Sequence, residues 1–142
     1  MKIRQGFVSN SSSSSFVVIS KNGEDQTEEF LEPENAFDTL GNMEFTYSRR
    51  YYDVFSKINF AWLMTEYMGH LDLTQEECRD KIIKLLESKG SGFYYKYVLK
   101  GYIQNHGYID HGNECVDYKL FEGDNLENFI FNSESYVETE RL

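Results

Sequence analysis

Residues 51–68, with the sequence YYDVFSKINFAWLMTEYM, decide the predicted fold. Apolar side chains first recur there at helical spacing, at Tyr51, Val54, Phe55, Ile58 and Trp62. The stripe then widens until most faces of the segment are apolar, through Phe60, Leu63, Met64 and Tyr67. A helix that is apolar on most faces must be buried. The sequence therefore predicts a central, largely buried helix that ends near Met68 and Gly69.

A second helix is predicted to start at residues 74–77, which form a capping box. The Thr74 hydroxyl and the Glu77 carboxylate can each satisfy a free backbone N–H of the other residue. The inward stripe of this helix is Cys78, Ile82, Leu85 and Leu86. Two i,i+4 pairs lie on its solvated side, Glu77 with Lys81 and Asp80 with Lys84. Lys89 and Gly90 suit its C-terminal end.

Strands are predicted on both sides of the helices. Residues 16–20, FVVIS, form a β-branched run closed by a turn at Asn22 and Gly23. Residues 93–99 alternate as a half-buried strand does, residues 105–115 form a polar loop, and residues 129–131 and 135–138 form short strands. This order predicts an α+β fold, with two helices packed on a small, mainly antiparallel sheet, in one domain over residues 1–142.

The composition favours a packed core inside the cell. The chain has 142 residues, of which 40% are apolar and 16% are aromatic, so rings must supply much of the core. Cys78 and Cys115 form no CxxC pair, and no run of about 18 apolar residues is long enough to span a bilayer. Because Ser-Asn-Ser rather than an apolar run follows the basic start, we expect no secretory signal and a cytoplasmic protein.

The net charge of -10 is concentrated in two segments. The first acidic segment, residues 22–44, holds eight acids and no base, and the second, residues 110–140, holds nine acids and one base. Such a chain repels nucleic-acid phosphates and anionic membranes but attracts a basic protein surface. The candidate partner-binding residues are Glu24, Asp25, Glu28, Glu29, Glu32 and Glu34. The alternative is that the acids only keep the domain soluble.

A serine-rich tract lies near the start of the chain, in residues 2–18, KIRQGFVSNSSSSSFVV. We expect a loop at residues 9–15, whose hydroxyls could hold an anion such as a phosphate or nucleotide, or be phosphorylated. The candidate ligand-binding residues are Arg4, Ser9, Asn10, Ser11, Ser12 and Ser13. The alternative is a plain loop whose hydroxyls bond their own backbone.

This tract resembles the opening of a group of small uncharacterised proteins of phages and bacteria. Residues 107–112, GYIDHG, and residues 129–132, FIFN, resemble the end of such proteins. The resemblance implies a phage or mobile-element origin, and it implies no activity and no cofactor. Together with the charge pattern, it leads us to expect an accessory protein that binds and modulates a host protein, one of defence or of nucleic-acid handling.

Weaker patterns suggest other functions. His106, Asp110 and His111 lie close together and are followed by Cys115, which leaves a metal-dependent hydrolase as a further alternative to an ordinary polar loop. Tyrosines at residues 94–108 alternate with lysines and could stack a nucleotide or simply cover a sheet. No nucleophile elbow, phosphate-binding glycine loop or His-Glu-x-x-His motif is present. We therefore expect a protein without enzymatic activity and without a cofactor.

Overall fold

The computed structural model describes residues 2–5, 13–27, 43–45, 48–68, 72–89, 108–109 and 118–141. The elements, in chain order, are β1 (Lys2–Gln5), β2 (Ser13–Ser20), β3 (Glu44–Phe45), β4 (Arg49–Tyr51), α1 (Val54–Glu66), α2 (Asp72–Ser88), β5 (Tyr108–Ile109), a 3-10 helix (Tyr118–Phe121), α3 (Asn125–Phe131) and β6 (Tyr136–Arg141).

The main sheet has four strands in the order β1-β2-β6-β4, and every pairing in it is antiparallel. Val17 of β2 and Tyr51 of β4 flank Val137 of β6, so the end of the chain lies between strands from its first half. A separate parallel pair joins β3 to β5. The fold is therefore α+β, with helices packed on a small antiparallel sheet, as the sequence predicts.

Helix α1 forms the centre of the core. Asp53 caps its start, because the Asp53 carboxylate accepts the Ser56 N–H at 2.9 Å. Ile58, Phe60 and Leu63 are buried on different faces of the helix, and so are several polar residues. The prediction of a buried central helix is confirmed, and its last residue is Glu66.

Helix α2 packs beside α1 through the predicted stripe, with Cys78, Ile82 and Leu86 buried. The predicted capping box is wrong, because the helix begins at Asp72 and Thr74 therefore lies within its first turn rather than at the N-cap. The predicted pair of Asp80 and Lys84 is confirmed at 2.8 Å. Lys81 instead donates to the carbonyl oxygen of Phe121 at 3.0 Å.

Helix α3 corrects the prediction of a strand at residues 129–131. Three consecutive buried residues fit either a buried strand or a helix that is covered on several sides, so the run alone could not separate the two. Leu126, Phe129 and Ile130 have the i, i+3, i+4 spacing of a helix face, and all three are buried. The strand predicted at residues 135–138 is confirmed at residues 136–138, which belong to β6.

Two predicted loops contain strand residues. The serine-rich loop expected at residues 9–15 is wrong for its last three residues, because Ser13 pairs with Arg141 and Ser15 with Thr139 in the sheet. Tyr108 and Ile109, predicted to lie in a loop, form β5. In both cases a partner strand distant in sequence determines the backbone conformation, and local composition does not reveal it. The strand predicted at residues 93–99 lies outside the described residues.

Candidate functional site: an acidic junction

The two acidic segments meet in the structure. Residues 23–26, which follow β2, lie against residues 131–135, which connect α3 to β6. Asp25 and Asn132 form an antiparallel bridge. The Gln26 N–H donates to the Phe131 carbonyl at 2.7 Å, and the Ser133 N–H donates to the Glu24 carbonyl at 2.8 Å. We call residues 23–26 and 132–135 the acidic junction.

The Asn132 side chain fixes the two halves of the junction to each other. Its Oδ1 accepts the N–H groups of Gly23 and Glu134, each at 3.0 Å. Glycine is needed at position 23, because a Cβ there would contact Asn132 Oδ1 and lie 2.7 Å from the Glu134 nitrogen. The Glu24 N–H donates to Ser133 Oγ at 2.7 Å. Acceptors in one half thus bind donors in the other.

Two fully buried serines tie the junction to the sheet. The Ser20 N–H donates to Ser135 Oγ at 2.8 Å, and the Ser135 hydroxyl lies 2.7 Å from the Asn128 carbonyl, to which it donates. The Ser20 hydroxyl lies 3.2 Å from Glu134 Oε2 and donates to it. Buried polar groups are costly unless they are hydrogen-bonded, and each of these hydroxyls has a partner.

Lys57 of α1 supports the junction from below. Its side chain is buried, with the whole residue 0% exposed. The ammonium Nζ lies 2.9 Å from Gln26 Oε1, 2.9 Å from the Asn132 carbonyl oxygen and 3.2 Å from the Ser135 carbonyl oxygen. A lysine ammonium has three donors, and these three acceptors come from both halves of the junction.

Four exposed carboxylates lie in the junction or beside it. Glu24, Asp25, Glu127 and Glu134 are all exposed, and we call these four residues the acidic face. Hydrogen bonds from the hydroxyl and the N–H of Thr27 lower the pKa of Asp25, and the positive charge of Lys89 adds to this effect. Asp25 is therefore ionised at neutral pH. Exposed carboxylates of this kind can bind cationic groups.

Lys89 supplies a cation on this surface. It follows α2 directly, and its Nζ lies 2.7 Å from Glu127 Oε1 and 4.9 Å from the centre of the Phe131 ring. A cavity of about 140 Å³ adjoins it, lined by Gly23, Asp25, Lys89, Glu127, Asn128, Phe131 and Asn132. The cavity therefore opens beside the acidic junction.

Only part of the predicted site can be placed. Glu24 and Asp25 lie in the junction, whereas Glu28, Glu29, Glu32 and Glu34 lie outside the described residues. Of the predicted ligand loop, Arg4 lies in β1 and Ser13 in β2, and Ser9, Asn10, Ser11 and Ser12 lie outside the described residues. Ser15 is 1% exposed, so its hydroxyl is not available to a ligand.

The predicted metal ligands, His106, Asp110 and His111, also lie outside the described residues. Within the ranges given above, no three His, Cys, Asp or Glu side chains come together to hold a metal ion. In those same ranges, no helix combines the length and the apolar character that crossing a membrane requires.

Sequence reasoning missed the residues that build the junction. Lys57 carries the clearest signal, because it is a single lysine in a helix whose other faces are mostly apolar. Asn132 and Ser135 carry no comparable signal, because polar residues between two elements are typical of any connection. Comparison of the chain with family models, with curated proteins and with solved structures finds no match. Function must therefore be argued from the junction itself.

Proposed function

We propose that this chain is a non-enzymatic interaction module that binds a basic surface of another protein through its acidic face. One observation carries the proposal. The two acidic segments, more than a hundred residues apart in sequence, are joined by direct hydrogen bonds at Glu24 and Ser133. If the acids served only to keep the domain soluble, nothing would require the two segments to meet on a fixed framework.

The framework gives these carboxylates a defined geometry. Glu24 and Asp25 stand on a backbone that is paired with residues 131–133, and Lys57 orders the same backbone from inside. Charges that are already ordered lose little conformational entropy when a partner binds. Carboxylates grouped on one surface also steer an oppositely charged partner during encounter, an effect that salt weakens.

The proposed partner is a protein whose basic surface otherwise holds nucleic acid. The net charge of -10 disfavours direct binding to nucleic acid but favours competition with it for a basic surface. As a finer part of the same proposal, the chain is an accessory protein of phage type and the partner is a host protein of defence or nucleic-acid handling. The resemblance of residues 2–18 supports that part.

A salt-controlled pull-down from bacterial lysate tests the proposal. We expect one captured protein that is retained at low salt and released at high salt. Its affinity should fall by at least about tenfold for the double variant Glu24→Lys, Asp25→Lys, because each reversal replaces an attraction with a repulsion. The matched control is Glu76→Lys, Glu87→Lys, which makes the same change in net charge at exposed positions of α2.

The comparison of the two double variants decides the outcome. An equal loss of affinity in both would mean that net charge alone drives capture, and the acidic face would not be the binding site. Retention of the captured protein at high salt, with both variants binding as well as the unaltered chain, would contradict an electrostatic interface altogether. Circular dichroism of each variant checks that the fold is kept.

A further inference from the structure

Lys89 occupies a site of the kind that binds a cationic ligand. Glu127 holds its ammonium at 2.7 Å, and the face of the Phe131 ring lies 4.9 Å away. A carboxylate combined with an aromatic face is a recurrent way to bind an ammonium or guanidinium group. The side chain of Lys89 is 17% exposed and that of Glu127 is 51% exposed, so the lysine side chain is largely covered while the carboxylate is open to solvent.

Space remains beside that ammonium. The adjoining cavity measures about 140 Å³, and Asp25 is one of its lining residues. Since a water molecule takes about 30 Å³ of liquid, the cavity can hold a guanidinium group or the end of a lysine side chain. It is therefore large enough for one basic side chain.

The charges around the cavity are unbalanced. Asp25 and Glu127 face a single cation, Lys89, and Asp25 shows no ion pair of its own among the described residues. The hydrogen bonds from Thr27 keep Asp25 ionised without neutralising it. An incoming cation would therefore meet one uncompensated carboxylate at once and a second if Lys89 moves away.

We propose that this cavity is the pocket for one basic side chain of the partner, and that Lys89 is an internal occupant which the partner displaces. This pocket rests on the proposed function, and the group that it binds is the cationic end of a basic side chain. Arginine fits better than lysine, because a guanidinium can donate to Asp25 and Glu127 together from a planar fork, whereas an ammonium is a compact point charge. Displacement of Lys89 opens Glu127 to the partner.

A capped hexa-arginine peptide serves as the probe, with binding measured by calorimetry on the full chain. The variants Asp25→Asn and Glu127→Gln should each weaken binding by about tenfold, the effect of losing one charge-assisted hydrogen bond. Both keep the shape of the side chain, and the amide oxygen introduced by Asp25→Asn can still accept from Thr27. The control is Glu76→Gln, which lies about 20 Å along α2 from Lys89 and should change affinity less than about twofold.

Replacing Lys89 should have the opposite effect on peptide binding to replacing Asp25 or Glu127. Lys89→Met should strengthen peptide binding by several-fold, because it removes the competing ammonium while keeping an apolar side chain over Phe131. Lys84→Met removes the same charge from the same helix and should strengthen binding much less. In addition, acetylation of Lys89 measured by mass spectrometry should become faster when the peptide is present, because a displaced ammonium is more exposed to the reagent.

The possible outcomes separate the two proposals. If the peptide binds but Glu24→Gln, which neutralises a residue of the acidic face outside the cavity lining, weakens it as much as Asp25→Asn and Glu127→Gln do, the pocket is refuted and the acidic face remains. If Glu76→Gln also weakens binding as much, both the pocket and the acidic face are refuted. If Lys89→Met weakens binding or acetylation of Lys89 does not change, Lys89 is not a displaced occupant. If the unaltered chain does not bind the peptide at all, the pocket is refuted together with the proposed function.

Discussion

Replacing Lys57 with methionine should destabilise the folded chain. The methionine side chain keeps most of the buried stem but leaves Gln26 Oε1 and the carbonyl oxygens of Asn132 and Ser135 without this donor. A buried acceptor that loses a donor costs about 1–3 kcal/mol, and less for the Asn132 carbonyl, which still accepts the Ser135 N–H at 3.0 Å. Removing a buried ammonium returns several kcal/mol of desolvation energy, which offsets part of that loss. We therefore expect a net loss of about 2–4 kcal/mol, or about 5–12 °C in Tm.

The chain contains its own probe for this measurement. Trp62 is the single tryptophan, it is buried in α1 close in sequence to Lys57, and its fluorescence reports unfolding in urea. The control is Lys84→Met, which removes a largely exposed lysine and should change the free energy of unfolding by less than about 0.5 kcal/mol. An unfolding midpoint for Lys57→Met at or above that of the unaltered chain would refute the reasoning, because it would mean that the desolvation cost of the ammonium exceeds the value of its hydrogen bonds.

Three further predictions concern the buried polar groups. Ser135→Ala should destabilise the fold by about 1–3 kcal/mol in the same urea assay, because the Ser20 N–H loses its acceptor, and Ser88→Ala on the exposed face of α2 should not. Burial raises the pKa of Glu66 above its ordinary value of 4.5, an effect that Arg79 partly opposes, so the folded state holds this proton more tightly than the unfolded state. Stability from this group is therefore greatest below that value and is lost as the pH rises through the raised pKa. Glu66→Gln should therefore gain stability relative to the unaltered chain as the pH rises above 4.5, and a difference that stays constant with pH would contradict this. Burial also raises the pKa of the Cys78 thiol, so in a Cys115→Ser background the folded chain should react with a thiol reagent at least about tenfold more slowly than in urea, and equal rates would show that Cys78 is accessible.

The sequence predicts those elements whose hydrophobic period is long. Helix α1 and the inward stripe of α2 repeat over several turns, and the buried run at residues 16–20 is β-branched, so each was recognised correctly. Helix α3 has only seven residues, and its three consecutive apolar side chains fit two structures equally well. The capping-box pattern misplaces the start of α2, because it begins at the third residue of the helix.

The site was harder to predict than the fold. Charge counting identifies both acidic segments, and the structure brings Glu24 and Asp25 of the first against residues 132–134 of the second. That meeting depends on β6 inserting between β2 and β4, and strand order is a long-range property that no local pattern specifies. The acceptors of the buried Lys57 are equally hard to predict from the sequence. Two of them are backbone carbonyl oxygens, and every residue has a backbone carbonyl whatever its side chain.

The position of Lys57 links the stability of the fold to the proposed binding by the acidic face. Carboxylates held together on one surface repel each other, and the junction that holds them is ordered by the ammonium underneath. Neutralising Glu24 should therefore weaken binding while leaving stability unchanged or raised, as is common where a functional site carries strain. Replacing Lys57 should lower both, because the carboxylates lose the framework that positions them. If binding survives the loss of Lys57, the carboxylates act through their charge alone and their fixed geometry is not needed.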